Sequence, residues 1–107
     1  MELLRGTLDL LILTCLRRGA MHGYGIASVI RESTRELLIV QEGVLYPTLR
    51  KLEGDGLLSS EWRWTESGRE ARYYALTAKG KRHLAARERE WQAYVEAVAL
   101  LAGRARA

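Results

Sequence analysis

The chain has 107 residues, of which 48% are hydrophobic, and a formal net charge of +4, which fits one small globular domain. A single cysteine excludes an internal disulfide, and two scattered histidines cannot make a structural zinc site of the usual spacing. No apolar stretch approaches the roughly 20 residues of a membrane span, and no basic n-region of a signal peptide opens the chain. We therefore expect a cytoplasmic protein without a cofactor, a metal or a membrane partner.

The excess of basic residues is not spread evenly along the chain. Residues 1–76 contain ten basic and ten acidic side chains, whereas residues 77–107 contain seven basic and three acidic ones. A basic balance indicates nucleic-acid binding only where it lies on the binding surface. Net charge therefore supports DNA binding weakly, and the argument for it depends on the pattern of residues.

The first predicted helix covers Thr7 to Arg18 and ends at Gly19, a residue type that commonly follows a helix. Its apolar residues recur at the i, i+3, i+4, i+7 spacing of one helix face. Further leucines lie on another side, and one small core cannot cover both sides of this helix. We expect a partner chain to cover these leucines, which are Leu3, Leu10 and Leu13.

Two more helices follow in the prediction. The second begins near Tyr24 and fades in the polar run from Arg31 to Glu36, and the third extends from about Glu42 to Asp55. Pro47 falls in the early part of the third helix and has no N–H to donate, so either this helix starts later or its first turn is distorted. The residues predicted to be buried in the third helix are Leu45, Leu49 and Leu52.

A β-hairpin and a last helix complete the chain. From Leu57 to Trp64 apolar and polar residues alternate, which is the pattern of a strand. The polar tract from Thr65 to Glu70 is typical of a turn, and Arg72 to Leu76 forms the returning strand. Thr77 then caps a helix that runs through Ala102. The alternating apolar residues of the first strand are Leu58, Trp62 and Trp64.

Apolar positions in the last helix recur every seven residues, with others offset by three, which is typical of a helix–helix seam. Because an isolated helix cannot bury such a seam, we expect it to pack against the first helix of a second copy about a twofold axis. The residues predicted for this homodimer interface are Leu3, Leu10, Leu13, Leu84, Trp91, Tyr94, Val98 and Leu101.

The order of these elements is that of a winged helix-turn-helix, in which the third helix enters the major groove of DNA and the hairpin flanks it. The predicted fold class is therefore mostly α with a small β-hairpin. Residues 1–76 are predicted to form a winged helix-turn-helix DNA-binding domain. Residues 77–107 are predicted to form a C-terminal dimerisation helix that belongs to the same compact unit.

The outer face of the third helix carries the candidate DNA contacts. Opposite the buried leucines stand Gly43, Tyr46, Pro47 and Arg50, with Lys51 at the flank. Small or flat residues let a helix seat deeply in a groove, where arginine and tyrosine side chains reach base edges or phosphates. The alternative is that the two basic residues are solvated charges beside acidic neighbours.

The predicted wing carries Arg69 at its tip and Arg72 at the start of the returning strand, where a wing meets the minor groove or the sugar-phosphate backbone. Glu66 and Glu70 weaken this interpretation because they repel phosphate. The alternative is a polar turn that contacts nothing.

Several motifs resemble those of the PadR family of transcription regulators. They are Gly23-Tyr24-Gly25, the segment Gly43 to Glu53 followed by Gly56-Leu57, the strand Arg72 to Thr77, and Lys79-Gly80. The resemblance extends from about Leu3 to Leu101. It implies a dimeric winged helix-turn-helix regulator, usually a repressor, of the short form with a single C-terminal helix. The DNA contacts predicted with this resemblance are Gly43, Val44, Tyr46, Pro47, Arg50, Lys51, Arg69 and Arg72.

Val44 departs from the family pattern, because the family usually has a small hydroxyl residue at this position. A phosphate contact through this side chain is therefore in doubt. Trp91 is a candidate ligand residue, because in some relatives a tryptophan at this point faces its twin across the dimer and sandwiches flat aromatic molecules. The alternative is that Trp91 only packs the dimer core.

The sequence offers little for catalysis, because it has no clustered carboxylates and no glycine-rich phosphate loop, and Cys15 lies on a buried stripe. We therefore expect a repressor that binds double-stranded DNA at a pseudo-palindromic operator as a homodimer, with half-sites about 34 Å apart. We also expect a small aromatic ligand to release the protein from this operator. The alternative is a winged-helix protein–protein interaction module without DNA binding, which the neutral charge balance of residues 1–76 favours.

Overall fold

The computed structural model describes residues 2–104, apart from the side chains at positions 2, 3 and 5. Four helices and a small antiparallel sheet make up this part of the chain, so the predicted winged helix-turn-helix architecture is confirmed. None of the described helices is both long and apolar enough to cross a bilayer. The elements in chain order are α1 (Glu2–Leu16), β1 (Met21–His22), α2 (Gly23–Ser33), α3 (Glu42–Gly54), β2 (Leu58–Trp64), β3 (Glu70–Leu76) and α4 (Ala78–Leu101).

The first helix is the centre of the molecule rather than a half-covered surface. It contacts α2, α3, α4 and β3, so other parts of the same chain cover it on several sides. Leu13 is fully buried and Leu10 is 8% exposed. The prediction that Leu10 and Leu13 face a partner chain is therefore wrong, because the chain's own helices occupy that side. The side chain of Leu3 lies outside the described residues.

The sheet has three strands in the order β1-β3-β2, and the short β1 was not predicted. Met21 pairs with Tyr74 and His22 with Tyr73, so β1 joins the sheet through only two residues. Such a strand is too short to produce an alternating pattern in the sequence. Its last residue also starts α2, because His22 is the N-cap and its Nδ1 accepts a hydrogen bond from the N–H of Gly25 at 3.0 Å.

The last helix begins at the predicted cap. The Thr77 hydroxyl accepts a hydrogen bond from the N–H of Gly80 at 2.9 Å, which satisfies a free donor of the first turn. A Cβ at Gly80 would collide with the carbonyl oxygen of Leu57, so only glycine lets α4 pass this close to the start of β2. This close passage explains why a glycine follows Lys79 in the motif noted above.

The two halves of α4 have different surroundings. Leu84 is 3% exposed and belongs to the core of its own chain, so its predicted place in a dimer interface is wrong. Arg87 donates two hydrogen bonds to the Asp9 carboxylate on α1, at 3.1 and 3.0 Å. Beyond Trp91, which packs partly against the core, the large apolar side chains of α4 are exposed. The exposed set includes Tyr94, Val95, Val98, Leu100 and Leu101.

Candidate nucleic-acid interface

The third helix divides into a buried and an outward face as predicted. Leu45, Leu49 and Leu52 are buried and fix the helix on the core, where α3 contacts α1, α2 and β2. Most residues on the outward face are exposed, whereas Tyr46 and Thr48 are half-buried. Because the buried leucines hold the helix, its outward face is preformed. The predicted DNA contacts that lie exposed on this face are Gly43, Val44, Pro47, Arg50 and Lys51.

The helix begins at Glu42 and contains Pro47 in its interior, so it does not start later to avoid the proline. Pro47 has no N–H to donate to the carbonyl of Gly43, four residues earlier. Gly43 is exposed and has open space where a Cβ would stand, so this carbonyl lies on the open side of the helix. The proline therefore interrupts the helix hydrogen bonds where an external partner can approach the backbone.

Tyr46 is less exposed for a DNA contact than the sequence suggests. Its side chain is half-buried and packs against the core rather than standing free on the outer face. A Cβ at Gly23 would lie 2.6 Å from Cε1 of Tyr46, so the ring rests directly on the backbone at the start of α2. Gly23 is needed for this contact, which links the first residue of the Gly23-Tyr24-Gly25 motif to the seating of α3.

A concave surface lies between α3 and the hairpin, and we call it the wing cleft. It is open to solvent and joins the outward face of α3 to the tip of the hairpin, which turns at Thr65–Arg69. Residues at the start of α2, among them Tyr24, close its other end. The cleft thus brings the helix and wing candidates to one surface. The residues that line it include Tyr46, Arg50, Glu53, Trp62, Arg69 and Arg72.

The basic residues of this surface differ in how they are held. Within residues 2–104, Arg50 and Arg69 form no ion pair. Lys51 lies 3.5 Å from the Asp55 carboxylate on the exposed end of α3. Arg72 donates to the Ser60 hydroxyl at 2.7 Å and lies 3.4 Å from the Glu53 carboxylate.

These contacts distinguish arginines that are free to bind DNA from an arginine that positions the wing. The charges of Arg50 and Arg69 are not neutralised within the described chain and are free to meet phosphates or base edges. Arg72 instead joins β3 to β2 and to the end of α3, which holds the wing at a fixed angle to the helix. Glu53 also accepts a hydrogen bond from Ser60 at 2.7 Å. Sequence reasoning missed Glu53 and Ser60 as wing-positioning residues, because nothing in their spacing reveals a contact across 7 residues.

The hairpin also exposes two tryptophans, which sequence reasoning placed on a strand without predicting their exposure. Trp62 is 63% and Trp64 70% exposed. They lie on the same side of the sheet as the buried Leu58, because successive side chains of a strand alternate between its faces and residues 58, 62 and 64 are an even number of positions apart. The hairpin extends beyond the core, so its outer residues on this side have no helix above them.

A second surface lies on α4 and beside it. The rings of Trp91 and Tyr94 lie against each other at a centroid distance of 5.9 Å and are tilted by 32°. A groove between α1 and α4 reaches Trp91 and includes Leu10, Leu11 and Gln92. Of the predicted interface residues, Trp91, Tyr94, Val98 and Leu101 therefore remain available to a second copy, whereas the leucines of the core do not.

Burial and hydrogen bonds shift the pKa of Asp9, which holds α4 against α1. Burial raises the pKa of this carboxyl. Hydrogen bonds from Arg87 and from the Leu10 N–H, together with the charge of Arg87, lower the pKa by more than burial raises it. The resulting pKa lies below the ordinary value of 3.8. Burial raises the pKa of the Cys15 thiol, so this cysteine remains a neutral core residue.

Comparisons with known proteins agree with this geometry. The model of the "Transcriptional regulator PadR-like family" matches residues 12–86. A transcriptional regulator from Mycobacterium tuberculosis is 40% identical over 80 residues, which cover 75% of this chain and 71% of that protein. The negative transcriptional regulator PadR from Bacillus subtilis is 32% identical over 73 residues, covering 68% of this chain but only 40% of that protein.

A solved structure supports the same assignment. The crystal structure of a PadR family transcriptional regulator from Eggerthella lenta superposes on this chain with a TM-score of 0.80 and 35% sequence identity. The superposition covers 94% of this chain and 85% of that one. The family consists of regulators rather than enzymes. The chain belongs to the PadR-like family of transcriptional regulators and has their winged-helix fold.

Proposed function

We propose that this regulator binds a pseudo-palindromic DNA operator as a homodimer and acts as a repressor. The observation that carries the proposal is the outward face of α3, where Arg50 stands exposed beside the wing cleft and forms no ion pair with the described part of the chain. Gly43 and Pro47 precede it on this face and carry no long side chain, so the helix backbone can approach the floor of a major groove. Two such faces related by a twofold axis would meet half-sites about 34 Å apart.

The contacts follow from how each basic residue is held. Arg50 reads a base edge or binds a phosphate in the major groove, and Lys51 binds a phosphate at the flank. Arg69, at the tip of the wing, contacts the sugar-phosphate backbone or the minor groove of the DNA. Tyr46 contributes the exposed edge of its ring, and Arg72 acts mainly by holding the wing against Glu53.

The homodimer uses the exposed part of α4. Tyr94, Val98 and Leu101 form an apolar surface on the helix end, and Trp91 stands at its border with the core. Large exposed apolar patches commonly mark interaction sites, and a second copy of the same helix supplies a matching seam. In this arrangement residues 1–76 carry the DNA contacts and the helix from residue 77 onward carries the dimer contacts.

A repressor role is proposed because the Bacillus subtilis relative is described as a negative transcriptional regulator. Release by a flat aromatic molecule is proposed because the α1–α4 groove reaches Trp91 and lies next to the apolar end of α4. Titrating planar aromatic compounds should quench tryptophan emission in the wild type but not in Trp91→Phe, which leaves Trp62 and Trp64 as controls. The same quenching in both proteins would remove the ligand proposal.

The test of DNA binding uses selection of bound duplexes from a random pool, followed by affinity measurements at several salt concentrations. We expect a site with twofold symmetry and an affinity that falls steeply with salt, because phosphate contacts release counterions. Arg50→Ala should weaken binding about 10-fold to 100-fold, the effect of losing one good base contact.

The matched control is Arg82→Ala, which removes an exposed arginine of α4 outside α3 and the wing. This variant should bind within about twofold of the wild type, because it contributes no groove contact. If the wild type selects no DNA, the chain acts through protein partners alone. If Arg50→Ala and Arg82→Ala behave alike, α3 does not enter the groove as proposed.

A further inference from the structure

We propose that Val44 reads the 5-methyl group of a thymine in the major groove, so that each operator half-site carries a thymine at one fixed position. This inference rests on the DNA binding proposed above and specifies what α3 recognises. It starts from an exposed apolar residue on a helix face that otherwise serves a polar partner. Val44 is 45% exposed and stands on the same stripe as Lys51, seven residues later.

Among the described residues, the three neighbours of Val44 on the outward face present no unengaged hydrogen-bond donor to a base; they are Gly43, Pro47 and Thr48. Gly43 has no side chain, and Pro47 has an apolar ring without an N–H. Thr48 has a hydroxyl, but it donates to the carbonyl oxygen of Val44 at 2.8 Å and is therefore engaged on its own helix. Glu42 is two positions from Val44 and therefore points to another side of the helix. Direct recognition through Val44 itself therefore uses apolar contact.

The major groove offers one apolar group for such contact. Guanine, adenine and cytosine present hydrogen-bond donors or acceptors on their groove edges, whereas thymine adds a methyl group at C5. A polar edge pressed against Val44 would lose its water without gaining a partner, which costs free energy. A thymine methyl loses only unfavourable contact with water. Of the four bases, thymine is therefore the one whose contact with Val44 buries apolar groups on both sides.

The surroundings of Val44 fit DNA rather than an apolar protein groove. Within residues 2–104 Arg50 forms no ion pair, and Lys51 is largely exposed although it lies 3.5 Å from the Asp55 carboxylate, so the basic groups of this face favour a negatively charged partner. No heavy atom lies within 4 Å of a Cβ built at Gly43, so the helix backbone next to Val44 is open to a close approach. A negatively charged groove with recessed methyl groups meets both requirements.

The experiment has two steps and begins with the sites selected from a random pool by the full chain. Wild-type sites should share a thymine at one position of each half-site, and sites selected by Val44→Ala should lose this preference while keeping the rest of the pattern. The wild-type duplex is then synthesised with deoxyuridine at that position, which removes only the methyl group. Binding should weaken about fourfold, the loss expected for one buried methyl.

A double-mutant cycle assigns the effect to Val44. Val44→Ala should weaken binding to the thymine duplex about fourfold to tenfold, and the penalty of deoxyuridine should then fall below about twofold. The matched control is Leu37→Ala, which removes another exposed apolar side chain, outside the helices, and should keep the full penalty. Deoxyuridine at the other thymines of the half-site gives a second control.

The outcomes are distinguishable from failure of the proposed function. If the wild type binds no DNA, both proposals fall. If it binds a defined site that has no constant thymine, or if deoxyuridine weakens Val44→Ala as much as the wild type, DNA binding stands and the thymine contact is refuted. Val44 is exposed and alanine favours helices, so a folding defect is not expected from this variant.

Discussion

The two halves of α4 carry apolar residues at similar spacing but have opposite surroundings. In the first half Leu84 is buried in the chain's own core, and Arg87 is anchored to Asp9 on α1. In the second half Val98 and Leu101 extend past the core and remain exposed. One helix therefore serves first as a core element and then as an interaction surface, and the change occurs near Trp91.

The difference between the two halves of α4 has its largest expected effect when one leucine is removed from each half. Leu84→Ala should lower the free energy of unfolding by about 2–5 kcal/mol, because it leaves a cavity among buried side chains. Leu101→Ala should change it by less than about 0.5 kcal/mol in the monomer, since the side chain is 90% exposed. Urea denaturation at a protein concentration low enough to dissociate dimers measures both values. Equal losses would show that the two halves do not differ.

The exposed half is tested by placing a charge on it. Val98→Glu should leave the folded monomer intact but raise the dimer dissociation constant at least about tenfold, because a twofold interface would bury two unpaired carboxylates near each other. Sedimentation over a range of concentrations measures the effect. Glu96→Gln, an exposed change on the same part of α4, should leave the dissociation constant unchanged. A wild type that sediments only as a monomer would refute the proposed dimer.

Much of the fold could be predicted because its signals are local. The leucines at 45, 49 and 52 fix α3, and Thr77 caps α4 through its own hydroxyl. The short β1 could not be predicted, because its two residues are defined only by their pairing with β3. The misassigned leucines of α1 show a second limit. A helix that is apolar on two sides is covered either by a partner or by more of its own chain, and spacing alone does not distinguish these cases.

The candidate site could be predicted in composition but not in detail. The outward position of Arg50 follows from the helix period, since it stands opposite the buried leucines. The contacts of Arg72 with Ser60 and Glu53 depend on how the hairpin folds back on α3, which no local pattern encodes. Likewise, the exposure of Trp62 and Trp64 depends on where the core ends beneath the sheet.

The smallest expected effect concerns the ion pair that anchors the first half of α4. Asp9→Asn should lower the free energy of unfolding by about 1 kcal/mol, because it weakens a two-point contact with Arg87 that is only partly shielded from solvent. The folded-state pKa of Asp9 lies below the ordinary value of 3.8, so its charged form contributes stability above that value and loses it as pH falls through the lower folded-state pKa. The difference between wild type and Asp9→Asn should therefore be constant near neutral pH and narrow in acid. Glu96→Gln serves as the control, and a difference that stays unchanged in acid would mean that packing rather than charge anchors α4 to α1.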